Sequence, residues 1–184
     1  MFSTKQGTSA LFYSSLLFSV GMPLAQAGDT ANIKVTATVV NRTCTPGWTG
    51  TQDVGLGTID AATMPAHGTP AASKEFTLSL TGCSSDVSKI KVTASGTPDS
   101  ADATDFANSL DSAAGGATGV GVFIKGGPSQ DTTMHPDKSG SVEYPVSNGA
   151  VDMKFKAQLE KDSDTGTVTT GEVNVPVTLN IEYE

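Results

Sequence analysis

Histidine occurs only twice in these 184 residues, cysteine twice and tryptophan once, and aromatic residues make up 6% of the chain. His67 and His135 lie in polar stretches holding glycine or proline, so neither a histidine-based triad nor a multi-histidine metal site has residues to build on. Both read as surface loop histidines. Basic residues are scarce as well, 11 against 19 acids, which argues against nucleic acid or an anionic membrane surface as a partner. Asp99, Asp102 and Asp105 have neither the spacing nor the glutamate of a calcium loop and read as a solvated acidic stretch. The glycines around Val120 lack the helix and acidic residue that a dinucleotide site needs. The chain is therefore not expected to be an enzyme, and no cofactor or metal is implied.

What is present begins with the N-terminus. Lys5 supplies a positive start, Ala10, Leu11, Phe12, Leu16, Leu17, Phe18 and Val20 form an apolar run, and Ala25-Gln26-Ala27 is a small-x-small cleavage site. Residues 1–27 read as a secretory signal peptide, too short and serine-broken to span a membrane of about 20 helical residues. No later run approaches that length, so the mature chain is expected to carry no integral membrane segment. Removing the leader takes away one lysine and no acid, so the net charge of −8 becomes −9. About 157 residues remain, enough for one domain with its own core. Cys44 and Cys83, an even pair in an exported chain, are expected to form one disulfide.

Seven short segments alternate apolar and polar residues: 33–40, 54–59, 76–80, 90–94, 120–124, 151–159 and the C-terminal stretch 171–184. Alternation with polar turns between segments predicts an all-β sandwich. Residues 96–119 and 126–140 read as surface connectors, with a possible helical turn near 106–110, and 161–166 as the turn into a final hairpin. Asn41-Arg42-Thr43 matches a glycosylation sequon, a triplet that arises often by chance. Trp48 could stack on a sugar, but a lone tryptophan after a strand more often packs.

The two ends of the mature chain carry the most information. Val173, Val175, Val177, Leu179, Ile181 and Tyr183 fall on every second position up to the terminus, while Ile33, Val35, Ala37 and Val39 form a similar row at the start. An apolar strand at an open sheet edge invites association, so one row could be donor and the other acceptor. Pro176 interrupts the second row, and a proline lacks the N–H a ladder needs. The same alternation also suits a closed sandwich whose first and last strands pair within the chain. That leaves a self-complemented secreted domain, binding a glycan or protein ligand, as the alternative.

Four features together resemble the type 1-like fimbrial (pilus) subunits of the chaperone–usher pathway. They are the signal peptide with its alternating extension, Val39-Val40-Asn41 leading into Cys44, the segment Phe76-Thr77-Leu78-Ser79-Leu80-Thr81-Gly82-Cys83, and a C-terminal motif with Gly171 fourteenth from the end and Tyr183 penultimate. The resemblance implies an incomplete immunoglobulin-like β-sandwich that lacks its seventh strand and is completed by a donor strand from another chain. It divides the chain into a signal peptide at 1–27, an N-terminal extension and donor strand at 28–43 that runs into the first strand, and a pilin domain at 44–184.

The donor face implied is Ile33, Val35, Ala37, Val39 and Asn41, with Ala37 where the family commonly has glycine. The acceptor strand implied is Gly171, Val173, Val175, Val177, Leu179, Ile181, Tyr183 and Glu184. A periplasmic chaperone would occupy this strand first, its basic residues gripping the terminal carboxylate of Glu184; at the outer-membrane usher, the next subunit's extension would displace it. The implied destination is a fimbria on the bacterial surface that supports adhesion, reached through the periplasm, with neighbouring subunits as polymer partners.

Overall fold

The computed structural model describes residues 43–110 and 112–184. The leader, the strand expected at 33–40 and the donor residues Ile33, Val35, Ala37, Val39 and Asn41 lie outside the described residues. Nine strands are present among those described: β1 (Thr45–Pro46), β2 (Ala72–Thr81), β3 (Lys89–Ser95), β4 (Phe106–Ala107), β5 (Val120–Gly126), β6 (Thr132–Met134), β7 (Val142–Pro145), β8 (Val151–Lys161) and β9 (Thr178–Tyr183). One sheet runs β1-β2-β8-β5-β4, with β6 also on β5; the other runs β7-β3-β9. All the pairings between these strands are antiparallel. The result is the expected all-β sandwich.

The alternating segments build its core. Met153, Phe155, Ala157 and Leu159 of β8 point inward, and Ile90, Val92 and Ala94 of β3 face them from the second sheet, as a period of two requires. Phe155 stacks on Phe76 with ring centroids 5.4 Å apart and meets Tyr144 edge-on at 5.6 Å. The buried Tyr144 hydroxyl donates to the Lys154 carbonyl (2.6 Å) and accepts from the Gly127 amide (2.7 Å), so its polar tip is satisfied inside the core. Cys44 and Cys83 form the expected disulfide, closing a loop of 39 residues.

Several expectations give way to the structure. Residues 54–59 form no strand: glycines alternate with its apolar residues, Gly57 has φ +84°, and no backbone group in 48–59 bonds another backbone among the described residues. The stretch 96–119 is more than a surface excursion, because it contributes β4, the fully buried Phe106 and the buried Ala117. Its helical turn is a short 3-10 segment at Ser112–Ala114, beyond the 106–110 region. Likewise 126–140 delivers β6 and the fully buried Met134. Residues 162–165 do turn, but β8 and β9 lie in different sheets, so they close no hairpin.

The acidic stretch is only partly solvated: Asp99 and Asp102 keep intermediate exposure, but Asp105 does not. Asp105 is 1% exposed and Glu160 6%. Glu160 stands on β8 opposite Gly121 of β5, and a Cβ on Gly121 would lie 2.7 Å from Asp105 Oδ2; glycine lets that carboxylate lie flat on the outer face of the sheet. His67 covers the same place, its Nε2 3.1 Å from Asp102 Oδ2 and 4.0 Å from Glu160 Oε1. The hydrogen bond that His67 donates to Asp102 raises the His67 pKa, while the Thr104 hydroxyl and amide lower that of Asp102. Asp105 Oδ2 and Glu160 Oε2 have no hydrogen-bond partner among the described residues. His67 is thus a partly covered member of a carboxylate cluster rather than a free loop histidine.

A candidate acceptor groove along the C-terminal segment

The C-terminal row keeps its alternation in three dimensions. Val173, Val175, Val177, Leu179, Ile181 and Tyr183 are all half-buried against the core, whereas Glu172, Asn174, Pro176, Thr178 and Glu182 are exposed. β9 forms the edge of its sheet, paired to β3 on one side and to no strand on the other among the described residues. Beside that edge runs a groove of about 1210 Å³. Val173 to Ile181 line it together with Trp48, Val54, Leu56 and Ile59 and with the core residues Val122, Ile124 and Leu159. Trp48 is half-buried and packed against the core, which is the packing role expected of it.

Hydrogen-bond parity shows which backbone groups face this groove. Glu184 and Lys89 exchange both amide bonds, at 3.0 and 3.1 Å. In an antiparallel pair, bonded and non-bonded pairs alternate, so Glu182–Lys91, Asn180–Thr93 and Thr178–Ser95 in the same register are bonded pairs too. Even-numbered residues therefore turn their N–H and C=O toward β3. Odd-numbered residues, of which Val173 to Ile181 line the groove, turn theirs toward the open edge.

The same parity holds upstream. Glu172 donates to the Gly115 carbonyl (2.9 Å) and accepts from the Ala117 amide (3.0 Å); the Asn174 carbonyl accepts from the Ser109 amide (2.8 Å). Pro176 is even-numbered, so its missing N–H falls on the covered side, next to Gly96, where the Thr97 carbonyl is already taken by the Ala107 amide (2.9 Å). The proline marks where the segment leaves the 108–117 loop and joins β3. It causes no break on the groove side.

Gly171 is required by close approach rather than by backbone twist. A Cβ there would run into the backbone of Ala117 and Gly116 and lie 2.7 Å from the Gly115 carbonyl oxygen. Gly171→Ala is expected to destabilise the folded chain by about 1–3 kcal/mol through overpacking, read from the midpoint of urea unfolding; an unchanged midpoint would show that the loop yields freely. At the other end, a terminal carboxylate oxygen of Glu184 accepts from the Ser88 and Lys89 amides (2.7 and 3.1 Å) and the Ser88 hydroxyl (3.2 Å). Its side chain meets Lys89 Nζ at 3.0 Å.

One residue of this region gives no signal in the sequence. Asn108 follows a short strand in a loop of small polar residues, yet its side chain bonds three residues in two other parts of the chain: Glu172 and Asn174 of the C-terminal segment, and Ala117. Only the folded topology brings residues 64 and 66 positions apart to that amide.

The same fold occurs in known pilus proteins. The crystal structure of the P pilus rod subunit PapA superposes with a TM-score of 0.63 over 77% of this chain and 99% of that one, at 16% identity. A chaperone–usher pilus structure gives 0.63 over 85% and 96%, at 14% identity. In sequence, the long polar fimbria protein A of Salmonella typhimurium is 32% identical over 162 residues, 87% of this chain and 86% of its own. The type-1 fimbrial protein A chain of Escherichia coli is 30% identical over 177 residues, 93% and 94% of the two chains. The family model described as fimbrial protein matches residues 33–184, and the chain accordingly belongs to the fimbrial protein family.

Proposed function

We propose that this chain is a fimbrial structural subunit that polymerises by donor-strand exchange, lending the alternating extension at 28–43 to a neighbour and receiving a neighbour's extension in its own groove. The observation that carries this reading is the half-buried apolar row from Val173 to Ile181, whose odd-numbered backbone groups face an edge with no strand among the described residues. Strand addition supplies what such an edge needs: main-chain bonds give affinity and alternate side chains give specificity. Chaperone–pilin pairing is a standing example of that recognition mode.

On this reading residues 1–27 direct export and are removed, and residues 44–184 form the pilin domain. A periplasmic chaperone holds the groove with basic residues at the Glu184 carboxylate until the outer-membrane usher exchanges it for the next subunit. The finished fibre stands on the cell surface and supports adhesion. A donor bringing Ile33, Val35 and Val39 into the groove would gain about 1.5–3 kcal/mol for each side chain fully buried.

The test compares three forms of the mature chain: alone, co-expressed with a periplasmic chaperone, and with a second copy of residues 28–43 joined to its C-terminus by a flexible linker. The fused form is expected to be monomeric and to unfold at the highest temperature, and the chain alone to self-associate. A lone chain that is monomeric and as stable as the fused form would overturn the proposal in favour of a self-complemented domain.

A further inference from the structure

The stretch Gly171–Val177 carries the upper half of the apolar row, yet the strand ladder with β3 begins only at Thr178. Something else must hold it at the right rotation, because turning an extended chain by one residue moves its apolar side chains to the opposite face. The Asn108 amide is placed to do this. Its Nδ2 donates to the Glu172 carbonyl (2.9 Å) and the Ala117 carbonyl (3.0 Å), and its Oδ1 accepts from the Asn174 amide (2.8 Å) and, more weakly, from the Leu110 amide (3.3 Å). The orientation of the amide is fixed by its partners, since a backbone N–H only donates and a carbonyl only accepts.

Glu172 and Asn174 flank Val173. Donating to the carbonyl before a residue and accepting from the amide after it is how a parallel strand bonds its neighbour, and Gly116 and Glu172 form an isolated parallel bridge at the same place. We propose that Asn108 is the positioning residue of the groove: its side-chain amide substitutes for a strand residue opposite Val173 and so fixes Val173 and Val175 toward the incoming donor. Its effect on donor capture rests on the donor-strand reading; the clamp itself does not. Ser109 also bonds the Asn174 carbonyl, through its amide and its hydroxyl (2.8 and 2.7 Å). Among the described residues, only Asn108 bonds the Asn174 N–H.

The experiment uses the full mature chain as wild type, N108A and N108D. Amide hydrogen exchange is measured residue by residue, and dissociation of a fluorescent synthetic peptide of residues 28–43 is followed in parallel. N108A is expected to speed exchange at the Asn174 amide at least tenfold while the Asn180 and Glu182 amides, bonded to β3, keep their rates. Peptide dissociation should quicken about tenfold. N108D keeps an acceptor for the Asn174 amide but sets a carboxylate against two carbonyl oxygens at pH 7, so peptide dissociation should quicken as in N108A; at pH 3, below the ordinary aspartate pKa of about 3.9, the protonated acid can donate to one of them again, and much of that loss should be recovered relative to wild type at the same pH.

Wild-type rates in N108A, equal acceleration along the whole of β9, or no recovery of N108D at pH 3 would each overturn the role of Asn108. A wild-type chain that captures no peptide would sink the donor-strand reading instead, and the exchange rates would still decide the clamp.

Discussion

Ile181→Asp is expected to abolish recovery of the chain in complex with a periplasmic chaperone or a donor peptide, while Glu182→Ala, one residue away, leaves both intact. Ile181 lies opposite the buried Val92 and lines the groove. A carboxylate there would be covered by an occupying strand in a groove that no basic side chain lines among the described residues. Leaving a buried charge uncompensated costs about 3–5 kcal/mol, and 3 kcal/mol is already more than a hundredfold in affinity. The Glu182 side chain is 59% exposed and, among the described residues, pairs with Lys91 at 3.5 Å; an exposed ion pair of that kind contributes about 0–1 kcal/mol. Val175→Asp at the other end of the row checks that the loss does not come from disturbing β9 itself. Equal losses from Ile181→Asp and Glu182→Ala, measured by co-purification and peptide titration, would contradict the assigned face.

The second large effect is on pH dependence. Burial pushes the Asp105 pKa up to about 7 from an ordinary 3.8, reinforced by the charges of Glu160, Asp102 and Asp99 and opposed by His67. Glu160 is raised too, again chiefly by burial, with Asp102 acting in the same direction and His67, the Gly68 amide and Lys125 opposing. A carboxyl with a raised pKa in the folded state binds its proton more tightly there than in the unfolded chain. Its contribution is complete below the unfolded value near 3.8 and is lost as pH rises through about 7. A shift of about three units corresponds to roughly 4 kcal/mol. The raised pKa of His67, held up by Asp102 first, acts with the same sign; the lowered pKa of Asp102 has the opposite sign, but only below its ordinary 3.8.

The chain should therefore resist urea better at pH 5 than at pH 8. Asp105→Asn, which carries no charge at either pH, should flatten most of that difference. A variant whose stability falls between pH 5 and 8 as steeply as wild type would place the effect elsewhere.

Alternation made β2, β3, β5 and β8 legible in the sequence, because each exposes one apolar face to a single core. The C-terminal row was equally legible in its side chains, but periodicity reports which way side chains point and says nothing of where backbone groups bond. Hence a continuous row from Val173 to Tyr183 is only a ladder strand from Thr178 onward. The opposite holds at 54–59, where Val54, Leu56 and Ile59 pack against the core without any strand to bond.

Phe106 and Asp105 were hidden in a stretch of small polar residues, since a lone aromatic and a buried acid have no period. His67 and Asp102 are 35 residues apart, and only the fold brings them together. β7 is too short to show a period, four residues long with a proline at its end.

The position of the disulfide has a mechanical consequence. Thr43 is hydrogen-bonded to Ser84 (3.0 Å between the Thr43 carbonyl and the Ser84 amide), Cys44 is joined to Cys83, and Ser88 and Lys89 hold the C-terminal carboxylate of Glu184. Tension applied to the chain ahead of Thr43 is handed by the sulfur–sulfur bond directly to the start of the β2–β3 connection, and from there to the last residue of the C-terminal segment. The residues between the two cysteines, including the groove wall at 48–59, hang from that link as a closed loop outside the line of force. If a neighbour's strand occupies the groove as proposed, a fibre pulled end to end would load each subunit through its sulfur bridge and its β3–β9 seam.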